Sequence, residues 1–371
     1  MSLAPLRLLA DDLTGALDTA AEWTTILGPL RVTWDDTAAP GESAALVSGT
    51  REATRDAAIA RTRALAPALA GGKLAYKKVD SLLRGHVAAE LAACLSAGPW
   101  RHCIVAPAFP AMGRITREGR LLVREPGASP SPARANLLAA LVAEGVAARL
   151  GRPDAALEPG VTVLDAESED DLAGIVAVGR WANVPLLWCG SGGLARALAQ
   201  GAQAPSTATL ASPVLGLFGS DQAVTARQLA ACGPLWHRLA DSGDTKAAAR
   251  LGRALDTRGA ALASIDLQPG LPRTEAARRI EVALGELTHG LPPPGTLIAA
   301  GGETLLAILR GLGASALCAT GLVAPGVPRS VILGGAWDGV AVVSKSGAFG
   351  GDTLWRDLLA GNGLFTESID A

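Results

Sequence analysis

Short apolar runs that stop at charged or glycine-bearing turns recur along this chain, and most lead into stretches where Ala, Leu and Arg fall at helical spacing. Leu6 to Ala10 is the first such run. It stops at Asp11-Asp12, and Ala16 to Ile26 reads as the helix behind it. Further strands are predicted at Leu30 to Trp34, Ala44 to Val47, Lys73 to Val79, Cys103 to Ala106, Val161 to Asp165 and Leu186 to Cys189. Helices are predicted over Glu52 to Leu69, Ala88 to Leu95 and Ala133 to Leu150, with an irregular loop over Phe109 to Gly119 and a linker of three prolines over Glu125 to Pro132. Such alternation predicts an α/β fold of mainly parallel sheets flanked by helices.

The pattern changes at Gln200 to Ser212, a stretch rich in Ala, Gln, Thr and Pro that precedes the apolar strand Val214 to Phe218. A chain of 371 residues exceeds the size at which one core usually stops growing, so two domains are expected, 1–205 and 206–371. The second half repeats one figure, a strand ending in glycine and small residues. It occurs at Gly219-Ser220, at Gly301-Gly302-Glu303-Thr304 ahead of a helix over Leu305 to Leu312, and at Gly347-Ala348-Phe349-Gly350-Gly351.

Composition narrows the partners. With 33 basic and 35 acidic residues and a net charge of −2, the chain offers no polycationic surface for nucleic acid. No apolar run reaches membrane-spanning length, and the N-terminus enters its first strand without a basic, then long apolar, leader, so neither membrane nor export is expected. Five widely spaced cysteines lack any C-x-x-C pair and point to a reducing cytoplasm. Small ligands are the expected partners, with a homodimer open as the assembly.

Open α/β sheets bind ligands beyond the carboxyl ends of their strands, which is where Asp11, Asp12 and Thr14 fall. Asp12 has a second reading as the cap of the helix that follows. The segment Tyr76 to His86 concentrates Lys78, Asp80, Ser81 and Arg84 at a strand end in a chain only 18% charged. Residues two apart on a strand share a face, so Lys78 and Asp80 point together and Lys77 points oppositely, with a plain salt bridge as the alternative to a site. Arg51 and Arg114 stand in glycine-containing loops at strand ends, where a guanidinium can grip a carboxylate with two hydrogen bonds. Ala299 to Thr304 sets glycines between a strand and a helix start, whose free N–H groups can cradle phosphate. A tight turn capped by Thr304 is the alternative there.

Other chemistries are excluded or weak. A P-loop signature is absent, and His86, His102, His237 and His289 lack metal-ligand spacing. Gly190-Ser191-Gly192-Gly193-Leu194-Ala195 fits G-x-G-x-x-A, but no Asp or Glu stands near Leu210 to Val214 to hold a ribose. It is read as a close strand–helix crossing.

The ordered motifs resemble the four-carbon acid sugar kinase family, which phosphorylates tetronate-type acids with ATP. The resemblance spans almost the whole chain. It is carried by Ala10-Asp11-Asp12-Leu13-Thr14-Gly15-Ala16, Lys78-Val79-Asp80-Ser81-Leu82-Leu83-Arg84-Gly85, Pro107-Ala108-Phe109-Pro110 with Gly113-Arg114, Gly219-Ser220, Gly301-Gly302-Glu303-Thr304, and Lys345-Ser346-Gly347-Ala348-Phe349-Gly350. It implies an N-terminal domain for the acid sugar, a C-terminal domain for the nucleotide, and an active site in the cleft between them. By this similarity Ser220, Gly301, Gly302, Glu303, Thr304 and Gly347 contact ATP, and Asp12, Lys78, Asp80 and Arg84 surround the acid. Asp11, Thr14, Arg51, Ser81 and Arg114 join the acid site from the strand-end loops. A kinase needs a group to take the hydroxyl proton; Asp12 is the first choice and Asp80 the second. Mg²⁺ is expected with the nucleotide, its ligands unassigned.

The chain departs from the family at three places. Ser81-Leu82-Leu83-Arg84-Gly85-His86 stands where the family usually has Ser-Thr-Leu-Arg-Gly-Asn; Gly219 to Thr225 differs in its middle; and the segment after Arg114 is shortened. These losses support a rival reading, a binding protein for an acid metabolite or nucleotide that no longer turns over.

Overall fold

The computed structural model describes residues 5–35, 39, 41–124, 129–133, 136–153, 155, 157–182, 184–199, 208–219, 222–241, 246–268, 270–347 and 349–365. The chain divides into two compact units, Met1–Ala204 and Pro205–Ala371.

The first unit runs β1 (Leu6–Ala10), α1 (Leu13–Leu27), β2 (Leu30–Thr33), β3 (Ala44–Val47), α2 (Arg55–Leu65), β4 (Leu74–Lys78), α3 (Val87–Ser96), β5 (His102–Ala106), β6 (Arg114–Arg117), β7 (Arg120–Val123), β8 (Ser131–Pro132), α4 (Leu137–Ala143), β9 (Ala148–Leu150), β10 (Gly160–Val163), α5 (Glu169–Trp181), β11 (Leu186–Gly190) and α6 (Gly192–Leu198). Its parallel sheet has the order β2-β3-β1-β4-β11-β5-β10-β9. Every residue of β1, β3 and β5 is buried, as a parallel strand covered on both faces must be, which is why these strands read as unbroken apolar runs. Leu9, Val79, Leu91, Val105, Val163 and Leu187 share one core cluster beneath α3.

Three predicted elements differ. The helix over Glu52 to Leu69 starts at Arg55 and stops at Leu65, where Pro67 helps turn the chain into a 3-10 turn, Ala66–Gly71. The helix over Ala133 to Leu150 shrinks to α4, because Asn136 caps its start by accepting from Ala139 N–H, and Gly145 at φ 76° turns the chain into edge strand β9. The loop over Phe109 to Gly119 holds a 3-10 turn, Pro110–Met112, and then β6, which pairs with β7 in a small antiparallel sheet. Gly113 makes that return: its φ is 71°, and a Cβ there would lie 2.4 Å from the Arg124 carbonyl. The crossing at Gly190 to Ala195 is tight, since Cβ atoms at Gly190 and Gly193 would each lie 2.6 Å from a backbone carbonyl, of Ala106 and Ala108.

Helix α1 is buried from Leu13 through Thr24 and carries two acids inside with it, Asp18 and Glu22. Burial pushes their carboxyls up to about 6 and about 7, and Asp18 Oδ1 has no hydrogen-bond partner. A raised carboxyl binds its proton more tightly folded than unfolded, so Asp18 costs stability as pH rises from its unfolded value of 3.8 through about 6. Asp18→Asn should therefore gain roughly 5 °C in Tm on the native chain between about pH 4 and pH 7, read by thermal melts across that range. A constant difference across the range would contradict a neutral, buried Asp18.

The second unit runs β12 (Val214–Phe218), α7 (Ala223–Ala230), β13 (Trp236–Ala240), α8 (Ala247–Arg258), β14 (Ala260–Asp266), α9 (Arg273–His289), β15 (Thr296–Ala300), α10 (Gly302–Gly311), β16 (Ala316–Ala324), β17 (Val327–Leu333), β18 (Ala341–Lys345) and α11 (Leu354–Gly361). Its strands lie in the order β13-β14-β12-β15-β18-β17-β16, parallel through β18 and antiparallel at β17 and β16. Phe218, Leu262, Ile298, Val343 and Trp355 centre its core.

Candidate active site

Strands β3, β1 and β4 are adjacent and parallel, so the loops after Val47, Ala10 and Lys78 leave the same sheet edge. Thr50 N–H donates to the Asp11 carbonyl at 2.9 Å, locking two of these loops together. Arg51 is the hub. Its Nε and Nη2 bond the two Asp11 oxygens at 2.7 Å each, Nη1 lies 2.8 Å from Asp12 Oδ2, and the same Nη1 lies 3.6 Å from Asp80 Oδ1. Burial opposes the guanidinium's charge, yet Asp12 and Asp11 hold its pKa well above the ordinary value. Arg51 thus bonds the protein's own carboxylates in this structure.

Asp80 sits past the end of β4 in a turn and organises the loop that follows. Its Oδ2 accepts from Leu82 N–H and Arg84 N–H at 3.1 Å each and from Arg84 Nε at 2.9 Å, while Oδ1 accepts from Arg84 Nη2 at 2.8 Å. Burial would raise this carboxyl, but the Arg84 bonds and the Arg51 charge hold it well below the usual range. Ser81 is buried in the same turn. Leu83, at φ 56°, and Gly85, at φ 80°, bend the backbone back toward Arg51.

Asp12 does cap α1, with Oδ1 accepting from Gly15 N–H at 2.9 Å, and Thr14 Oγ1 donates to its Oδ2 at 2.7 Å. The cap and the charged cluster are one feature. A Cβ at Gly15 would lie 2.6 Å from Asp12 Oδ1, 3.2 Å from Lys78 Nζ and 3.7 Å from Arg51 Nη2, so glycine lets three charged groups converge on the first turn of α1. Lys78 Nζ donates to the Val79 carbonyl at 2.9 Å, and no ion pair to Lys78 occurs among the described residues. The salt bridge between Lys78 and Asp80 that strand spacing offered is not formed, because β4 ends at Lys78 and Asp80 turns to Arg84.

Lys77 points the other way, into a buried layer that the sequence did not reveal. Its Nζ lies 2.7 Å from Glu90 Oε2 on α3, Thr50 Oγ1 donates to Glu90 Oε1 at 2.6 Å, and the Ser48 and Thr50 hydroxyls lie 2.7 Å apart. Arg114 stands at the start of β6, bonded to the Met112 carbonyl, with its Nε buried and unpartnered. Burial lowers its pKa, Asp80 opposes that, and the neighbouring Arg84 adds to it.

In the second unit β12, β15 and β18 are adjacent and parallel, with Phe218, Ala300 and Lys345 side by side. The three glycine loops therefore leave one edge. Gly301, at φ 98°, is the N-cap of α10 and supplies no side-chain cap, so the turn is not the Thr304-capped one offered as an alternative: Thr304 lies inside the first turn beside Glu303, and Gly302 is the first helical residue. A Cβ at Gly219 would lie 2.6 Å from Thr304 Oγ1, which fixes how closely the first two loops approach. Ser220 lies outside the described residues. Gly347 is buried, and its carbonyl accepts from Thr225 Oγ1 at 3.0 Å and Lys345 Nζ at 2.9 Å. Lys345 and Thr225 were not among the candidate residues, and only their place in the motif strings hinted at them.

The chain is thus a two-unit α/β protein with a charged strand edge in one unit and a helix start without a side-chain cap in the other. Residues 6–139 match the model of a sugar-binding N-terminal domain, and residues 237–354 that of a nucleotide-binding C-terminal domain. A D-threonate kinase of Cupriavidus necator is 34% identical over 410 positions, covering 94% of this chain and 96% of its own; one from Bordetella bronchiseptica is 31% identical, covering 93% and 94%. A 3-oxo-tetronate kinase of Methylobacterium radiotolerans is 29% identical, covering 95% and 97%. A crystal structure from Salmonella typhimurium shares the fold at a TM-score of 0.74 and 24% identity, covering 95% of this chain and 98% of that one. The chain belongs to the four-carbon acid sugar kinase family.

Proposed function

We propose that this protein is an ATP-dependent kinase that transfers the γ-phosphoryl group to a hydroxyl of a four-carbon sugar acid, with D-threonate the first candidate. The observation that carries the reading is the convergence of Asp12, Lys78 and Arg51 around Gly15 at the sheet edge, in a chain similar to two D-threonate kinases. Asp12 takes the hydroxyl proton, the substrate oxygen bonds to the γ-phosphorus, and the bond to the β,γ-bridging oxygen breaks to release ADP. Asp80 is better suited to organising its loop than to accepting a proton, since four bonds from the Leu82 to Arg84 loop converge on it and, against the effect of burial, Arg84 and Arg51 hold its carboxyl well below the usual range. Lys78, Arg84 and Arg114 supply positive charge for the carboxylate and the migrating phosphoryl group, with Asp11, Thr14 and Ser81 lining the same edge.

The nucleotide is assigned to the second unit, to Gly301, Gly302, Glu303 and Thr304 at the start of α10 and to Gly347, with Ser220, which lies outside the described residues, added by the resemblance alone. The uncapped N-terminus of α10 and the buried ammonium of Lys345, which has no carboxylate partner among the described residues, both favour an anion there. Mg²⁺ is proposed to enter with the nucleotide phosphates. Cysteines Cys94, Cys103, Cys189 and Cys232 are buried free thiols, in keeping with a reducing cytoplasm.

The test is ADP release over a panel of D-threonate, D-erythronate and 3-oxo-tetronates. Turnover with at least one is expected. Tight calorimetric binding of an acid without any ADP release would instead establish the rival reading of a binding protein, and neither binding nor turnover would overturn both.

A further inference from the structure

Lys345 closes β18 with its side chain fully buried. Its Nζ donates to the Gly347 carbonyl at 2.9 Å, to the Ser346 carbonyl at 3.1 Å and to Thr225 Oγ1 at 3.4 Å. Burial alone pulls its pKa down to about 7, with no charged neighbour acting against it. A buried charge without a counter-charge is expensive, and an apolar residue of the same length would pack β18 at lower cost. Its use must lie in what it bonds.

What it bonds is a single loop, and α7 grips that loop too. Thr225 Oγ1 donates to the Gly347 carbonyl at 3.0 Å, and Gln228 Nε2 donates to the Phe349 carbonyl at 3.1 Å and the Gly351 carbonyl at 2.9 Å. Phe349 N–H closes a turn on the Ser346 carbonyl at 3.0 Å. Four carbonyls of the loop are thereby drawn inward. In a trans peptide the C=O and N–H point to opposite sides, so a Ser346 carbonyl held toward Lys345 turns the Gly347 N–H outward. The adjoining Gly301 N–H is spent on the Lys345 carbonyl at 3.0 Å, which ties this loop to the start of α10.

We infer that Lys345 and Thr225 are positioning residues for the nucleotide: they hold the Ser346 and Gly347 carbonyls in place so that the loop presents the Gly347 N–H to the phosphates. This rests on the assignment of the nucleotide to the Gly347 loop and the start of α10. Lys345→Met and Thr225→Val keep volume and remove the bonds. ADP affinity by calorimetry and the KM for ATP should weaken about tenfold in Lys345→Met and a few-fold in Thr225→Val, with the KM for the acid within about twofold and Tm unchanged or raised.

A residue that merely supported the fold would lower Tm and impair both substrates alike, and that outcome would overturn the inference. Gly302→Val serves as the control on the assignment itself. If Gly302→Val loses ADP affinity while Lys345→Met keeps it, the nucleotide site stands and the positioning role falls. Should Gly302→Val retain ADP affinity, the nucleotide lies elsewhere and both fall together.

Discussion

Asp12→Asn should lower kcat by about 10² to 10⁴, the usual contribution of a general base, while the KM for ATP changes by no more than a few-fold. Three carboxylates meet Arg51, and their environments separate their roles. Asp11 is held by two bonds from Arg51 and its side chain is 4% exposed; Asp80 is 7% exposed and bonded through both oxygens to the Arg84 loop; Asp12 is the most open at 12%. Asparagine at position 12 retains an oxygen to accept from Gly15 N–H, so the cap of α1 survives, and Arg51 keeps Asp11 as a bidentate partner. What is removed is the charge that would take the proton. Steady-state kinetics with the best acid of the panel decides it: near-normal kcat would leave Asp12 as a helix cap that happens to adjoin Arg51.

How much of this arrangement was legible in the sequence depended on distance along the chain. Contacts within a few residues follow from local geometry, and these were accessible: Asp12 with Thr14 and Gly15, and Asp80 with Arg84 four positions on. The Arg51 hub spans 40 residues, the pair of Lys77 and Glu90 joins a strand to a helix, and Lys345 meets Thr225 across 120 residues. No spacing rule encodes those; the parallel order of the strands does, by bringing their carboxyl ends side by side. The fold was readable for a related reason. Fully buried parallel strands such as β1 and β5 announce themselves as apolar runs, whereas β16 and β17, whose residues alternate between buried and partly exposed along an antiparallel pair, do not. Ala-rich stretches mislead in the opposite sense: Ala133 to Leu150 has helical composition throughout, and it took the Asn136 cap and Gly145 to confine the helix to seven residues.

Gly302→Val should raise the KM for ATP by about 10- to 100-fold and leave the KM for the acid nearly unchanged. Gly302 is the first residue of α10, directly after a Gly301 that offers no side chain to cap the helix. Phosphate oxygens that use such a helix start must come within about 3 Å of its backbone N–H groups, and a β-branched side chain at the first helical position stands in that approach. Valine is no worse a helix former than glycine, so α10 and the packing of Leu305, Ile308 and Leu309 beneath it should persist. The residues proposed to bind the acid all belong to the other unit, which is why the two KM values should separate. Measuring both constants for this variant and for Asp12→Asn gives opposite patterns if the labour is divided as proposed, one losing nucleotide affinity and the other losing turnover. An unaltered KM for ATP in Gly302→Val would place the phosphates away from α10, whatever Asp12→Asn does.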